Sequence, residues 1–342
     1  MKKKKVIHLE VIRIFALFCI VYNHIGYVIF MNTENILKVT VSLALSILCK
    51  IGVPLFFMIS GALLLGREET WKEVYKKRVL RIVEVIVLFT ALRFFYECYV
   101  IRTRPFSSVQ LVKSILTGNI LHPYWFLYAY LSILLLLPIL RIIIKNLDEQ
   151  GMKNLLLLIV IFFMIIPLKA LVVKQEWQVS LILDEKICYM FLGYFIEHKL
   201  QKSDFSLRNM TLALGGTFAG IFISFWLVVK PHINGGEYAA EMIPLLSMFL
   251  ACMIFYLLRG ASFRFTDMNV KIEELITAIG SCVFGVYLIE DYLRAIMVWL
   301  YGRRGLYIDD VNSCVLSTVI VVLMGIPIVY FLKKLPIIKK LI

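Results

Sequence analysis

Long apolar runs alternate with short polar segments along the whole chain. Each run is long enough for a helix to cross a hydrocarbon core of about 30 Å at about 1.5 Å per residue, although 181–197 is near the lower limit. The strict apolar–polar alternation of barrel strands is missing, so each run is predicted to be a membrane-spanning helix. The runs lie at about 6–31, 37–65, 82–101, 121–144, 154–173, 181–197, 210–229, 240–258, 275–300 and 311–332.

The composition supports this prediction. Of the 342 residues, 61% are apolar or aromatic and 18% are charged, whereas a soluble globular domain has about 45–50% apolar and about 25% charged residues. A disordered chain is excluded, and an ordinary cytosolic enzyme nearly so. We therefore predict an all-α polytopic integral membrane protein with about ten transmembrane helices. Residues 1–342 are expected to form one transmembrane domain without a separate soluble domain.

The net charge of +14 comes from 37 Lys and Arg against 23 Asp and Glu. If the N-terminus is cytoplasmic, the predicted cytoplasmic segments hold more than twice as many Lys and Arg as the external ones. This bias predicts a multi-pass protein with both termini in the cytoplasm. It explains the charge by orientation in the membrane, so no nucleic-acid partner is expected.

The seven cysteines form no C-x-x-C pair, and the five histidines are scattered along the sequence. We expect neither a disulfide framework nor a metal site. The cysteines lie in or beside apolar runs, as small apolar core residues do.

The first predicted span carries Arg13 and His24, eleven residues apart. In an α-helix that offset is about 20° past three full turns, so both side chains share one face about 16 Å apart. An ionisable group inside a membrane is a candidate functional residue. Histidine is the side chain best suited to moving protons near neutral pH.

Two further segments each allow two interpretations. Ser60 and Gly61 end the second run, where Gly61 permits close approach of a ligand or of another helix. In the ninth run, Glu290 either orients the His24 imidazole or pairs with Arg294 one turn later.

Polar residues at the predicted membrane faces are also ambiguous. The run Lys72, Lys76, Lys77, Arg78 and Arg81 is either a lipid anchor or a clamp for a polyanionic cytosolic ligand. His122 and Trp125 open the fourth run, where aromatic residues often form an interfacial belt.

Taken together, these segments resemble the membrane acyltransferase family 3, the integral-membrane O-acyltransferases of bacterial surface polysaccharides. The resemblance covers nearly the whole chain. Arg13 and His24 match the family's R-x10-H pair, and GVPLFFMISG at 52–61 matches its F-x-x-S-G segment. The further matching segments are the basic run ending at Arg78 and Arg81, Trp125–Leu127 with Pro138, Phe191–Tyr194 and Gly285–Ile289. At Glu290 the chain differs from many relatives, which have histidine there.

The resemblance implies an O-acyltransferase of the bacterial cytoplasmic membrane. The acyl group, acetyl in the leading hypothesis, would pass from cytosolic acetyl-CoA to a hydroxyl of a cell-envelope glycan or lipid-linked glycan. His24 would act as general base or acyl carrier, with Arg13 and Glu290 in the catalytic set. The donor would be held by Arg13, Ser60, Gly61, Lys77, Arg78 and Arg81, and the acceptor by His122 and Trp125.

The competing hypothesis is a transporter of an amino acid or lipid-linked sugar. The membrane half of vancomycin-resistance serine racemases is also similar, and it is linked to serine transport. Transporters of this size often contain inverted repeats, and we find none in the sequence. A third hypothesis is a scaffold for envelope assembly. The sequence predicts neither the acceptor nor the oligomeric state.

Overall fold

A computed structural model describes residues 6–26, 35–172, 184–230, 242–264 and 269–342. All regular structure in these ranges is helical. Short π-helical turns extend α4, α5 and α10, and a 3-10 turn at His122–Tyr124 precedes α7. The helices are α1 (Ile7–Gly26), α2 (Ile36–Cys49), α3 (Gly52–Leu64), α4 (Trp71–Val74), α5 (Leu80–Phe95), α6 (Ser108–Thr117), α7 (Trp125–Asn146), α8 (Glu149–Val172), α9 (Glu185–His198), α10 (Leu207–Ser224), α11 (Met242–Ser262), α12 (Val270–Arg303), α13 (Val311–Leu332) and α14 (Pro336–Leu341).

Within the described ranges, seven segments are long and apolar enough to cross a membrane. The predicted runs 82–101, 154–173 and 181–197 fall largely in α5, α8 and α9, which are not among the seven. The count of ten and the cytoplasmic termini therefore stay predictions. Parts of four predicted runs lie outside the described residues, at 27–31, 173, 181–183 and 240–241. The seven segments are Ile7–Gly26, Ile36–Leu64, His122–Asn146, Leu207–Leu227, Ile243–Ser262, Val270–Arg303 and Val311–Leu332.

The second apolar run contains a break that divides it into α2 and α3. Helix α2 ends at Cys49, and a turn at Lys50–Ile51 precedes α3. Pro54 explains the break, because its ring would clash with the carbonyl of Lys50 in a continuous helix. In the first turn of α3 the same proline needs no backbone donor.

The chain divides into two compact units. The first contains residues Met1–Leu63 and Asp148–Tyr330, and the second contains Leu64–Leu147 and Phe331–Ile342. In the first unit α1 packs against α2, α11 and α12. More than half of α1 is buried, as expected for a helix that is apolar on most sides.

Helices α1 and α12 run parallel, as two contacts show. Near the start of α1, a Cβ atom at Gly280 would lie 2.1 Å from Oε2 of Glu10. Near its end, Nδ1 of His24 lies 2.6 Å from Oε1 of Glu290. Both positions advance along both helices, so α12 contacts α1 along the length that contains Arg13 and His24.

Candidate functional site

The partly exposed imidazole of His24 and the buried carboxylate of Glu290 form a pair. The distance between His24 Nδ1 and Glu290 Oε1 is 2.6 Å, and the side chains are 21% and 1% exposed. A carboxylate only accepts hydrogen bonds, so the hydrogen of the imidazole is on Nδ1. In the neutral ring this leaves the Nε2 lone pair as the basic position. The contact is the one required if Glu290 orients the imidazole.

Arg294 fixes the backbone on which His24 sits. Its guanidinium donates to the carbonyl oxygen of His24 and to the carboxylate of Asp291 on the preceding turn of α12. His24 lies in the last turn of α1, where helix carbonyls lack intrahelical partners. Helix α12 therefore holds His24 through both its side chain and its carbonyl.

Arg13 lies about 16 Å from His24 along the same helix, and it is paired with Glu10. Its Nη1 donates to both carboxylate oxygens of Glu10, at 2.8 Å and 2.7 Å. Gly280 provides the space for this carboxylate, since any larger residue would overlap it. A role of Arg13 in binding the acyl donor stays a prediction.

Gly61 lies where α3 crosses α9. A Cβ atom at Gly61 would lie 1.9 Å from the carbonyl oxygen of Met190, and one at Gly193 would lie 2.1 Å from that of Met58. The two backbones therefore touch through two glycines. The hydroxyl of Ser60 donates to the carbonyl of Phe56 at 2.9 Å. Ligand contacts of Ser60 and Gly61 stay predictions.

The predicted donor-binding cations of the second unit all have protein partners. Nζ of Lys77 lies 2.9 Å from Glu73, and Nη2 of Arg78 lies 2.7 Å from Glu69. Nε of Arg81 donates to the carbonyl of Leu341 at 3.0 Å. Any anionic ligand of these residues therefore competes with contacts already made.

Glu69 joins two arginines in this unit. Hydrogen bonds from Arg78, and then from Arg141, hold the pKa of its carboxyl at about 2, below the ordinary 4.5 and against an upward effect of burial. Because the pKa of Glu69 is lower in the folded protein than in the unfolded chain, the ionised carboxylate stabilises the fold at any pH above the unfolded-state pKa. This stabilisation is lost as the pH falls from about 4.5 towards 2.

We expect Glu69→Gln to lower the free energy of unfolding at neutral pH by about 2–3 kcal/mol, because two arginines lose their counter-charge. The stability difference between wild type and variant should shrink as the pH falls below about 4.5. Melting temperatures of purified protein in detergent across this pH range measure it. A difference that does not vary with pH would contradict the ion-pair origin.

The predicted acceptor residues open α7 in the second unit. His122 is exposed and begins the 3-10 turn, while Trp125, the first residue of α7, is 40% exposed. The Trp125 and Phe126 rings pack edge to face with centroids 6.3 Å apart. Both predicted side chains are thus accessible, and sugar binding by them stays a prediction.

Comparison with known protein families matches an acyltransferase domain, that of the acyltransferase 3 family, to residues 6–334. The chain belongs to the acyltransferase 3 family. The match covers essentially the whole chain, as the sequence motifs predicted. No curated protein and no solved structure matches the chain. Together, the family and the seven apolar segments found among the described residues support a membrane acyltransferase.

One partly buried cluster of charged and polar side chains was not predicted from the sequence. Nε2 of His8 lies 2.8 Å from Oε2 of Glu197, and Nε of Arg259 lies 3.4 Å from the same oxygen. These residues come from α1, α9 and α11, and each stands at a helix end. The sequence signal was weak, because charges at the ends of apolar runs usually face lipid headgroups or water.

Glu10 and Arg141 were also given no role from the sequence. The spacing of Glu10 and Arg13 could have predicted their ion pair, since residues three apart share a helix face. Nothing local connects Arg141 with Glu69, which is 72 residues away. Among the described residues no group of three or more His, Cys, Asp or Glu could hold a metal ion.

Proposed function

We propose that the protein transfers an acyl group, acetyl in the first instance, from cytosolic acyl-CoA to a hydroxyl of a cell-envelope glycan or lipid-linked glycan. The reaction would take place in the bacterial cytoplasmic membrane. The observation that carries the proposal is the contact between His24 and the buried Glu290, together with membership of the acyltransferase 3 family.

The pair suits general-base catalysis of acyl transfer. Nε2 of His24 removes the proton from the acceptor hydroxyl while the hydroxyl oxygen attacks the thioester carbonyl. The carbon–sulfur bond then breaks, and the thiolate leaves as CoA and takes the proton from the imidazolium. Glu290 holds the tautomer and stabilises the imidazolium that forms between these steps. If His24 is instead an acyl carrier, the same lone pair on Nε2 attacks the thioester carbonyl, and the carbon–sulfur bond breaks to release the CoA thiolate. The acceptor hydroxyl then attacks the acyl group on Nε2, the carbon–nitrogen bond breaks, and the thiolate takes the hydroxyl proton.

Glu290 has a second feature of a reacting pair. Its Oε2 is buried and has no hydrogen-bond partner among the described residues. A buried carboxylate oxygen without a partner is energetically costly and needs an explanation. A water or a substrate hydroxyl at this oxygen would satisfy it.

Donor binding is assigned to the cations Arg13, Lys77, Arg78 and Arg81, with Ser60 and Gly61 shaping the path of the pantetheine arm. Guanidinium groups are suited to phosphate because they donate in a planar fork. His122 and Trp125 are assigned to the acceptor, by hydrogen bonding and by stacking on the sugar ring. The assignments rest on residue chemistry and accessibility.

The protein reconstituted into vesicles, given acetyl-labelled CoA and bacterial envelope lipids, should produce alkali-labile label in the glycan fraction. The label is expected to be alkali-labile because an O-acyl ester is hydrolysed by base. In cells, mass spectrometry of envelope glycans from a deletion strain should show loss of O-acetyl groups, restored by the wild-type gene.

The transporter hypothesis predicts a different outcome in the same vesicles. Labelled serine or a lipid-linked sugar would be taken up without any acyl donor, and no label would pass from acetyl-CoA to glycan. That pair of results would overturn the proposed function. Three charges that a transporter would use for its substrate, those of Arg13, Glu290 and Asp291, each pair with a neighbouring side chain.

A further inference from the structure

Two guanidinium groups of the second unit converge on one carboxylate. Arg78 donates from Nε at 2.9 Å and from Nη2 at 2.7 Å to the two oxygens of Glu69. Arg141, from α7, donates from Nη2 to Oε2 of Glu69 at 2.9 Å. The three side chains are between 9% and 21% exposed. They form a compact group with a net charge of +1, which we call the Glu69 cluster.

One hydrogen-bond donor of the Glu69 cluster has no acceptor among the described residues. Nη1 of Arg141 is buried and makes no hydrogen bond to any described residue. Nε of the same guanidinium donates to the carbonyl of Leu64 at 2.9 Å, so the group is held in place. An unpaired donor on a charged group in a buried position is costly. The contact with Glu69 therefore leaves one buried donor of the two arginines unused.

We propose that the Glu69 cluster is a binding site for a phosphate monoester, in which the carboxylate of Glu69 occupies the position of the phosphate until the ligand displaces it. Under the proposed function the ligand is the terminal phosphate monoester of the acyl-CoA, so that assignment rests on the proposed function. The binding of a phosphate monoester by the cluster does not depend on it.

Shape and charge both fit this exchange. A guanidinium fork that grips two carboxylate oxygens can grip two phosphate oxygens in the same way, and a third phosphate oxygen would be available to Nη1 of Arg141. A phosphate monoester carries close to two negative charges at neutral pH, which matches two arginines better than one carboxylate does. A phosphate bound at this position would repel the ionised carboxylate of Glu69, so the carboxylate must move away from the two arginines.

The ionisation of Glu69 also determines what can displace its carboxylate from the two arginines. Hydrogen bonds from Arg78, and then from Arg141, hold the pKa of the carboxyl at about 2. The carboxylate therefore stays ionised at physiological pH, and a competing anion, rather than protonation, opens the site.

Binding of CoA, dephospho-CoA and inorganic phosphate to the full-length protein in neutral-lipid nanodiscs tests the proposal. Dephospho-CoA lacks only the phosphate monoester, and we expect it to bind about tenfold more weakly than CoA. Glu69→Gln should raise the affinity for CoA about tenfold, because the internal competitor loses its charge. The matched control is Glu68→Gln, which makes the same charge change at the exposed neighbouring residue and should change the affinity less than about twofold.

Since Glu69→Gln is expected to be less stable, Arg141→Lys gives an independent test. It keeps the positive charge but removes the guanidinium fork and its unpaired donor, and should bind CoA about tenfold more weakly. In this variant the difference between CoA and dephospho-CoA should disappear. Nanodiscs that contain phosphatidic acid test the other source of a phosphate monoester, a lipid headgroup.

If phosphatidic acid rather than CoA gives a larger rise in melting temperature in Glu69→Gln than in Glu68→Gln, the site holds a lipid phosphate and the donor assignment is wrong. If neither ligand distinguishes the two variants, the phosphate site itself is overturned. Acyl transfer by the wild-type protein is measured separately. A failed binding test with intact transfer would thus leave the proposed function standing.

Discussion

Replacing His24 by alanine is expected to lower acyl transfer by about 10²–10⁴-fold, because a positioned general base contributes that much to proton transfer. The imidazole is 21% exposed and has its Nδ1 held by Glu290 at 2.6 Å, so the reactive position is Nε2. If His24 is the acyl carrier, the loss should be at least as large. The label transferred from acetyl-CoA to glycan in vesicles measures the effect, and glycan O-acetyl content measures it in cells.

Glu290→Gln separates the positioning of His24 from the charge beside it. The amide oxygen can still accept from Nδ1, but the negative charge that stabilises the imidazolium is lost. We expect transfer to fall about 10–100-fold while the protein remains folded. Glu274→Gln, at an exposed position near the start of the same helix, is the matched control and should leave transfer unchanged.

Undiminished O-acetyl content in a stably expressed His24→Ala strain would refute the catalytic role of His24.

Gly61→Ala should be among the most destabilising single substitutions in this chain. The added methyl group would lie 1.9 Å from the carbonyl oxygen of Met190, a backbone atom that cannot move aside as a flexible side chain does. We expect a loss of about 3–5 kcal/mol in the free energy of unfolding, or failure of the protein to accumulate in the membrane. Gly193→Ala should behave alike, because its methyl would lie 2.1 Å from the carbonyl oxygen of Met58.

The control for this effect is Gly215→Ala in α10. A Cβ there would meet no described atom within 4 Å, and alanine favours a helix over glycine by about 0.8–1.0 kcal/mol. That variant should melt at or slightly above the wild-type temperature. If Gly61→Ala and Gly193→Ala melt like Gly215→Ala, the α3–α9 contact does not have the tightness that the structure gives it.

How much of the site the sequence predicts depends on how far apart its residues lie in the chain. Arg13 and His24 are read from one helix, since helical periodicity alone places them on one face. The partner of His24 is 266 residues away, and periodicity only narrowed it to two alternatives, a pair with His24 or with Arg294. The Glu69–Arg141 contact was missed entirely, because each residue alone looks like an ordinary charge at a membrane face.

The fold shows the same limit. Apolar runs predict the helical membrane class, because few other structures satisfy the backbone in lipid. The break at Lys50 follows from Pro54, although a count of apolar residues passes over it. Segment 82–101 shows why the number of spans is harder to predict. The helix that covers it carries Glu84 and Arg93, and Glu97 follows in the next turn, so apolarity alone does not decide whether it crosses the membrane.

The parallel contact of α1 with α12 restricts the number of residues between Glu10 and His24, a stretch that includes Arg13. Near one end of α1, Glu10 fits against Gly280, and near the other, His24 meets Glu290. Inserting or deleting a single residue between these points would turn one end by about 100° relative to the other. Either the carboxylate of Glu10 would lose its place against Gly280, or the imidazole of His24 would lose its contact with Glu290. The two contacts with α12 can therefore both be made only if this stretch of α1 keeps its present number of residues.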